Sequence, residues 1–455
     1  MIMIESIKTT VLWILILSSI TLTWLLWTYQ PEYDALEESN ETYVEIEDLG
    51  DTRTLPEVVQ PRQIIIHRED EQSMILPLND VYKDILQELE EVEIDYVYPQ
   101  WESQAPSVER EFTGMELIFD DPLESEWIES FFTMEEEHLA IEQVDRIIFL
   151  LNPEDEENTD DLLVQFVDMD GEAVYESDIT LTMSDLEEMY EGTADKQVSV
   201  EKYLFRGESE TFQPVSYVTT ESVSLEKYTY ETTDLSAKAF TQILFNDPSV
   251  IETYPQAGQG ETYTDGNRIM SLNESNSILQ FVRPDIRGGS PAGVPSVIED
   301  SLDFINNHSG WTNDYLADNW TETDLDDDAS FRLHVQGLPV LASNQGHEHY
   351  FMIDVTRAAN SITEYTRPMY QLADEPLEKS GNVTLPSFEE VQQHIREYEA
   401  FSNRAVEDIT IGHYMVRQRS YATFEPGWYV KIDGRWTLLD FRSNADLEVS
   451  VYGLE

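Results

Sequence analysis

His347-Glu348-His349 is the nearest approach to a metal site in this chain. On a strand, positions i and i+2 face the same way, so both imidazoles could reach one ion. His334, on a neighbouring predicted strand, could supply a third ligand. The spacing is not HExxH and no Glu is placed as a general base, which favours ordinary surface histidines and no bound metal. Asp168-Met169-Asp170-Gly171 echoes a calcium loop, but such a loop needs an oxygen ligand where Phe166 stands and a Glu where Ser177 stands. Asp324 and Asp326–Asp328 form an acidic stretch whose default is solvation.

Nucleophile and phosphate motifs are missing. There is no GxSxG, no SxxK with its companions, no HExxH, no GxGxxG and no GxxxxGK[ST]. Carboxylates are so common that a glycosidase-like pair carries no information. The chain has no cysteine, which removes disulfides, thiolate metal sites and thiol nucleophiles. These residues point to no catalytic centre and no cofactor. Tyr421, Phe424, Trp428, Tyr429 and Trp436 make the C-terminal hairpins aromatic. Core packing is the favoured use; an exposed stripe would serve a protein or polysaccharide partner.

The composition sets a strong field. Of 455 residues, 92 are acidic and 26 basic, for a net charge of −66. A surface this negative repels nucleic acid and anionic membrane surfaces. The charge is spread in short blocks such as Glu135–Glu137 and Asp160–Asp161, which fits adaptation to a salty or alkaline habitat. Hydrophobic residues still make up 41%, enough to pack a core.

The elements that would position any site read as α+β, with antiparallel sheets covered by few helices. Strands are predicted at Gln63–His67, Gly114–Phe119, Val144–Leu151, Leu162–Val167, Ser330–Val335, Glu348–Val355 and Ser361–Arg367. Helices are predicted at Asp80–Glu91, Pro122–Phe132, Ser184–Tyr190, Leu235–Phe245, Ser296–Asn306 and Phe388–Tyr398. Asp170-Gly171, Asp265-Gly266 and Asp433-Gly434 have hairpin-turn chemistry.

Ahead of all this stands one apolar run. Thr10 to Thr28 reads TVLWILILSSITLTWLLWT, uncharged and about 30 Å long as a helix. Its length and the bulky residues at its end favour a retained transmembrane anchor over a cleaved signal peptide. Trp24, Trp27 and Tyr29 suit an interfacial aromatic belt, with Trp13 nearer the start. Lys8 precedes the run and no Lys or Arg follows until Arg53, so the N-terminus is expected to be cytoplasmic and the bulk extracellular. Ser19 and Thr23 share a helix face, where they would meet partner helices or bond back to their own carbonyls. The expected organisation is a cytoplasmic tip and anchor (1–30), an acidic juxtamembrane linker (31–61) and about three extracellular domains (62–195, 196–295 and 296–455). The last two share a loose order of elements and read as possibly related units.

The run Glu5–Tyr33 resembles the start of the YycH (WalH) proteins of Gram-positive bacteria. Ile7-Lys8-Thr9, Thr23-Trp24 and Leu26-Trp27-Thr28-Tyr29-Gln30-Pro31 stand where that family has its lead-in and anchor exit. Pro426-Gly427-Trp428-Tyr429 and Asp433-Gly434-Arg435-Trp436 agree by pattern. The resemblance implies a membrane-anchored regulator and not an enzyme. Its implied partners are the essential sensor kinase WalK (YycG), which works with WalR, and YycI, whose fold resembles the later YycH domains. They would meet through transmembrane helices and exterior domains to control cell-wall homeostasis. It also makes the Ser19 and Thr23 face a plausible partner contact. The competing class is an anchored cell-wall enzyme or polysaccharide-binding module, which should show converging perturbed carboxylates or an exposed aromatic platform.

Overall fold

A computed structural model describes residues 13, 15, 17–19 and 21, and residues 49–441 apart from 69–70, 78, 100–111, 135–140, 152–159, 192, 194–195, 205–214, 246, 257–258, 274, 285, 287–294, 309, 324 and 398–405. Met1–Glu47 forms one unit and Asp48–Glu455 another. In the first unit the described residues are helical and exposed, Trp13 and Ser19 among them. Thr21 donates its hydroxyl to the Leu17 carbonyl at 2.8 Å, the local back-bond open to hydroxyl residues in a helix. Thr23, Trp24, Trp27 and Tyr29 lie outside the described residues. No helix of the described residues is long and apolar enough to cross a membrane.

The second unit is dominated by two sheets, one of eleven strands and one of fifteen. In the first, Gln63–Arg68 (QIIIHR) is buried along nearly its whole length and pairs antiparallel with Glu71–Ile75 and Gly114–Glu124. An isoleucine run of this kind belongs at a sheet centre. Gln143–Leu151, Asp161–Asp168 and Ala173–Thr182 extend the sheet one way; Gln197–Leu204 and Val215–Thr219 extend it the other. In the second, Asp327–Val335 pairs with Met352–Ala358, with Tyr315–Thr321 and with Leu338–Ser343. Leu338–Ser343 then runs parallel to Asp408–Arg417. Val223–Asp234 pairs with Tyr421–Ile432, whereas Ile278–Val282 pairs with Ser361–Pro368. The fold is thus a sheet-rich α+β body with few helices.

Local chemistry explains the ends of these elements. Ser296 caps the helix Val297–Asn307: its hydroxyl accepts from the Glu299 N–H, and the Glu299 carboxylate accepts from the Ser296 N–H. Asp433 and Gly434 take φ values of 50° and 72° between the paired residues Ile432 and Arg435, a two-residue type I′ turn. Gln336-Gly337 and Ala359-Asn360 make the same turn, with φ of 49° and 76°, then 48° and 60°.

Two expected elements differ. The helix expected at Pro122–Phe132 starts only at Ser125, and Pro122 belongs to the strand Gly114–Glu124. The register of that strand slips between Ile118 and Leu123, so Phe119–Pro122 form a bulge. A bulge tolerates a proline because its position needs no ladder N–H. The strand expected at Glu348–Val355 is instead a 3-10 turn, Glu348–Tyr350, followed by Met352–Ala358.

One large apolar core runs through both sheets. Trp127, 1% exposed, packs on Trp320 with ring centroids 5.3 Å apart, joining the short helix Ser125–Phe131 to the second sheet. The segment preceding the first sheet is tied to the second one. Asp51 and Trp311 exchange backbone hydrogen bonds at 3.1 and 2.8 Å. Arg53 pairs with Asp314 at 2.6 Å, and the Asn306 amide bonds the Arg53 backbone on both sides, at 3.0 and 2.8 Å. Gly50 and Gly310 permit this approach, since a side chain on either would strike the opposite backbone.

Candidate functional site

The metal site weighed for His334, His347 and His349 does not assemble among the described residues. His334 is half-buried and its Nδ1 donates to the Arg332 carbonyl at 3.0 Å; loss of hydration lowers its pKa to about 4, so it is neutral. His349 lies beyond the strand break, with Nδ1 2.9 Å from Asp354, whose hydrogen bond raises its pKa. Among the described residues no group of three His, Asp or Glu could hold a metal ion. Asp168 accepts from the Gly171 N–H at 2.7 Å and so shapes a hairpin turn. Asp327, expected to be solvated, is 1% exposed and receives Arg357 at 2.9 Å. The desolvated guanidinium outweighs the solvent there, as buried charges require a partner. Of the C-terminal aromatics, Phe424, Trp428 and Tyr429 are core residues, while Tyr421 is exposed and Trp436 is half-buried.

Arginine-centred clusters do form: Arg357 gathers Asp300, Glu322 and Asp327, and two more stand apart from it. One lies on the face of the first sheet opposite the main core. Successive residues of a strand alternate faces, so Met115 and Leu117 enter the core and Glu116 between them points away. There Glu116 accepts from Arg146 Nε at 2.6 Å and from the Tyr217 hydroxyl at 2.9 Å, with His67 Nε2 at 3.0 Å. Glu116 is fully buried. Burial opposes its charge, but Arg146 and His67 overcome this and hold its carboxyl well below the usual range.

The other cluster borders a cavity of about 470 Å³ at the seam between the two sheets. The Phe119–Pro122 bulge brings Asp120 and Asp121 to its wall. Bulges commonly re-aim side chains beside functional sites. Arg62 reaches Asp120 at 3.3 Å and forms a short ion pair with Asp408 on a strand of the second sheet. Arg332 chelates Asp318, with Nη2 at 2.7 Å, and donates to the Val340 carbonyl at 3.1 Å. Burial weakens Asp318 as an anion, yet Arg332 more than compensates and lowers its pKa. Asp121 accepts from the Asn319 amide at 3.1 Å. Withdrawal into the wall, followed by the charges of Asp408, Asp318 and Asp121, pushes Asp120 up to about 6 despite Arg62. Asp121 is raised as well, again mainly by burial.

Sequence reasoning named His334, Glu348, Trp428 and Trp436, which line the same cavity, but none of these arginines and aspartates. Their one available signal is the scarcity of basic side chains, which makes each buried arginine in so acidic a chain a marker of a built contact. The arrangement can hold a charged or polar group in a concave, partly aromatic wall.

Comparison with known proteins covers nearly the whole chain. The model of the YycH protein N-terminal domain matches residues 5–198, and that of the YycH protein C-terminal domain matches residues 213–446. The two-component system WalR/WalK regulatory protein YycH of Bacillus subtilis (strain 168) is 22% identical over 448 residues, 95% of each chain. The crystal structure of YycH from Bacillus subtilis aligns with a TM-score of 0.69 at 17% identity, covering 86% of this chain and 98% of that one. The cavity therefore draws on both matched regions: Arg62, Asp120 and Asp121 from the first, and Asp318, Arg332 and Asp408 from the second.

Proposed function

This chain belongs to the YycH family, and from that premise we propose that it is a membrane-anchored extracellular regulator of a WalK-type sensor kinase. The single observation that supports this reading is the likeness to the Bacillus subtilis regulatory protein across 95% of both chains. The apolar run Thr10–Thr28 would anchor the chain, with Trp13, Trp24, Trp27 and Tyr29 at the membrane borders and Ser19 and Thr23 against partner helices. Its partners would be WalK and a YycI-like protein, met through the anchor and the exterior body. Regulation needs only that the complex favour one kinase state over another; equal affinity for both would shift nothing. No enzymatic step is part of this reading.

Copurification tests it. The full chain in mild detergent should carry WalK and the YycI-like protein with it, and a chain lacking residues 1–30 should lose most of both. Replacing Ser19 and Thr23 together by Leu should weaken the association while leaving the chain in the membrane fraction. Equal recovery of both partners by all three forms would remove the anchor-mediated part of the proposal. Recovery of neither partner by the full chain would remove the whole.

A further inference from the structure

The cavity at the sheet seam is short of positive charge. Asp120, Asp121, Asp318, Glu348 and Asp408 border it, against Arg62, Arg332 and Lys431. Two of those cations are already committed. Arg62 serves Asp408 and Asp120, and Arg332 serves Asp318. Lys431 lies over the Trp436 ring at 5.8 Å, and its charge acts on both Asp121 and Asp318, which leaves five carboxylates to three cations. His334 on this wall is neutral, and burial holds the Tyr82 and Tyr217 hydroxyls protonated, so none of the three adds charge.

An independent sign comes from a hydroxyl in the lining. Thr219 borders the cavity, is 1% exposed, and its hydroxyl has no hydrogen-bond partner among the described residues. Buried polar atoms are rarely left so. A hydroxyl on a cavity wall is satisfied by what fills the cavity. The carboxylates are dispersed among apolar and aromatic side chains such as Leu341, Met352 and Trp436, which is not the compact oxygen cage of a metal ion. The volume is that of a site for a small organic molecule.

We propose that this cavity binds an organic cation: a primary ammonium or guanidinium group on a short apolar stem, its charged head received by Asp120 and Asp121 and its stem by the aromatic and aliphatic wall. The head group supplies the counter-charge the wall lacks. The stem covers carbon surface, and an N–H of the ligand can reach the Thr219 hydroxyl. Such chemistry belongs equally to a free diamine and to a lysine or arginine side chain of a peptide. Asp120 is held near half-protonation around pH 6 by burial and its acidic neighbours, so binding strengthens as pH rises through that range.

The test is calorimetric titration of the full chain in nonionic detergent, once with cadaverine and once with the tripeptide Gly-Lys-Gly. One probe at least should saturate a single site. Asp120→Asn and Asp121→Asn, each nearly isosteric, should weaken that binding by about tenfold or more. Asp326→Asn, in the exposed acidic stretch, should leave it unchanged. Saturation by cadaverine alone assigns the site to a small free cation, and saturation by the tripeptide alone assigns it to a peptide side chain. Heat that never saturates would overturn the proposal, because it is the diffuse attraction of any cation to a chain of net charge −66. So would a single site indifferent to both Asp120→Asn and Asp121→Asn.

Discussion

On the far face of the first sheet, Glu116 sits at 0% exposure among Arg146, His67 and Tyr217; at the seam, Asp120 sits beside Arg62 with 44% of its side chain accessible. The two clusters use the same residue types and respond in opposite directions. Around Glu116 the donors outnumber the acids, and the carboxylate is stabilised even in full burial. Around Asp120 the acids outnumber the cations, and partial burial together with the charges of Asp408, Asp318 and Asp121 raises the pKa to about 6 despite Arg62. Burial therefore does not decide whether a carboxylate is content; the balance of charge and donors in its shell does. The balanced cluster has the character of a structural brace, and the unbalanced one that of a receptor for something positive.

The sharpest way to break this contrast is to remove one charge from each cluster. Arg146→Met should cost about 3–5 kcal/mol of unfolding free energy, because it leaves Glu116 charged and unpaired in a dry environment. Urea titration followed by tryptophan fluorescence would measure it. A loss below about 1 kcal/mol would mean that Tyr217 and His67 suffice, and that the brace is not built on charge. Asp120→Asn should change stability by about 1 kcal/mol or less in the same assay, since its ion pair is open to solvent on one side. A loss matching that of Arg146→Met would place Asp120 with the structural class.

The smallest effect is in the pH profile. Asp120 at about 6, Asp145 at about 6 and Glu124 at about 7 all lie above their unfolded values, chiefly through burial. The native chain takes up these protons first, so stability should rise as pH falls from about 8 towards 6. His334 and His413 have folded values of about 4 through burial, below the unfolded value, so they remove stability as pH falls through 6.5 towards 4. The Glu116 brace is intact across this whole window. Three raised carboxylates outweigh two lowered histidines from about pH 7 to 5. Melting temperature should therefore keep rising as pH falls through 6 and turn over only near pH 4 to 5, where Glu116 and Asp318 take up protons in the unfolded chain. Asp120→Asn should make the rise between about pH 7 and 5 shallower; an unchanged profile would count against the charge imbalance at the seam.

Much of the scaffold can be read before any coordinates. The helices near 80–91, 235–245, 296–306 and 388–398 are present within a few residues, because each carries an apolar face and several carry caps. The Asp433-Gly434 turn is legible because its residues suit positive φ; Ala359-Asn360 is not, since alanine carries no such signal. Pro122 misled because proline opens helices and also occupies bulges, and only the paired strand Gln143–Leu151 decides between them. That bulge is what makes the cavity wall. With 92 acidic residues, Asp120 and Asp121 carry no mark of their own, and their significance appears only when Asp318 and Asp408 arrive from 197 and 287 positions further along.

The tie between residues 50–53 and the Trp311 region has a mechanical corollary. A chain that fed directly into the first sheet would pass any displacement at its N-terminal end to that sheet alone. Here the strand-like exchange of Asp51 with Trp311, the Asn306 clasp on Arg53 and the Arg53–Asp314 pair load the helix Val297–Asn307 at the same moment. A tug or twist arriving along the backbone is thereby shared across the seam, and the hollow between the sheets lies within the body being levered.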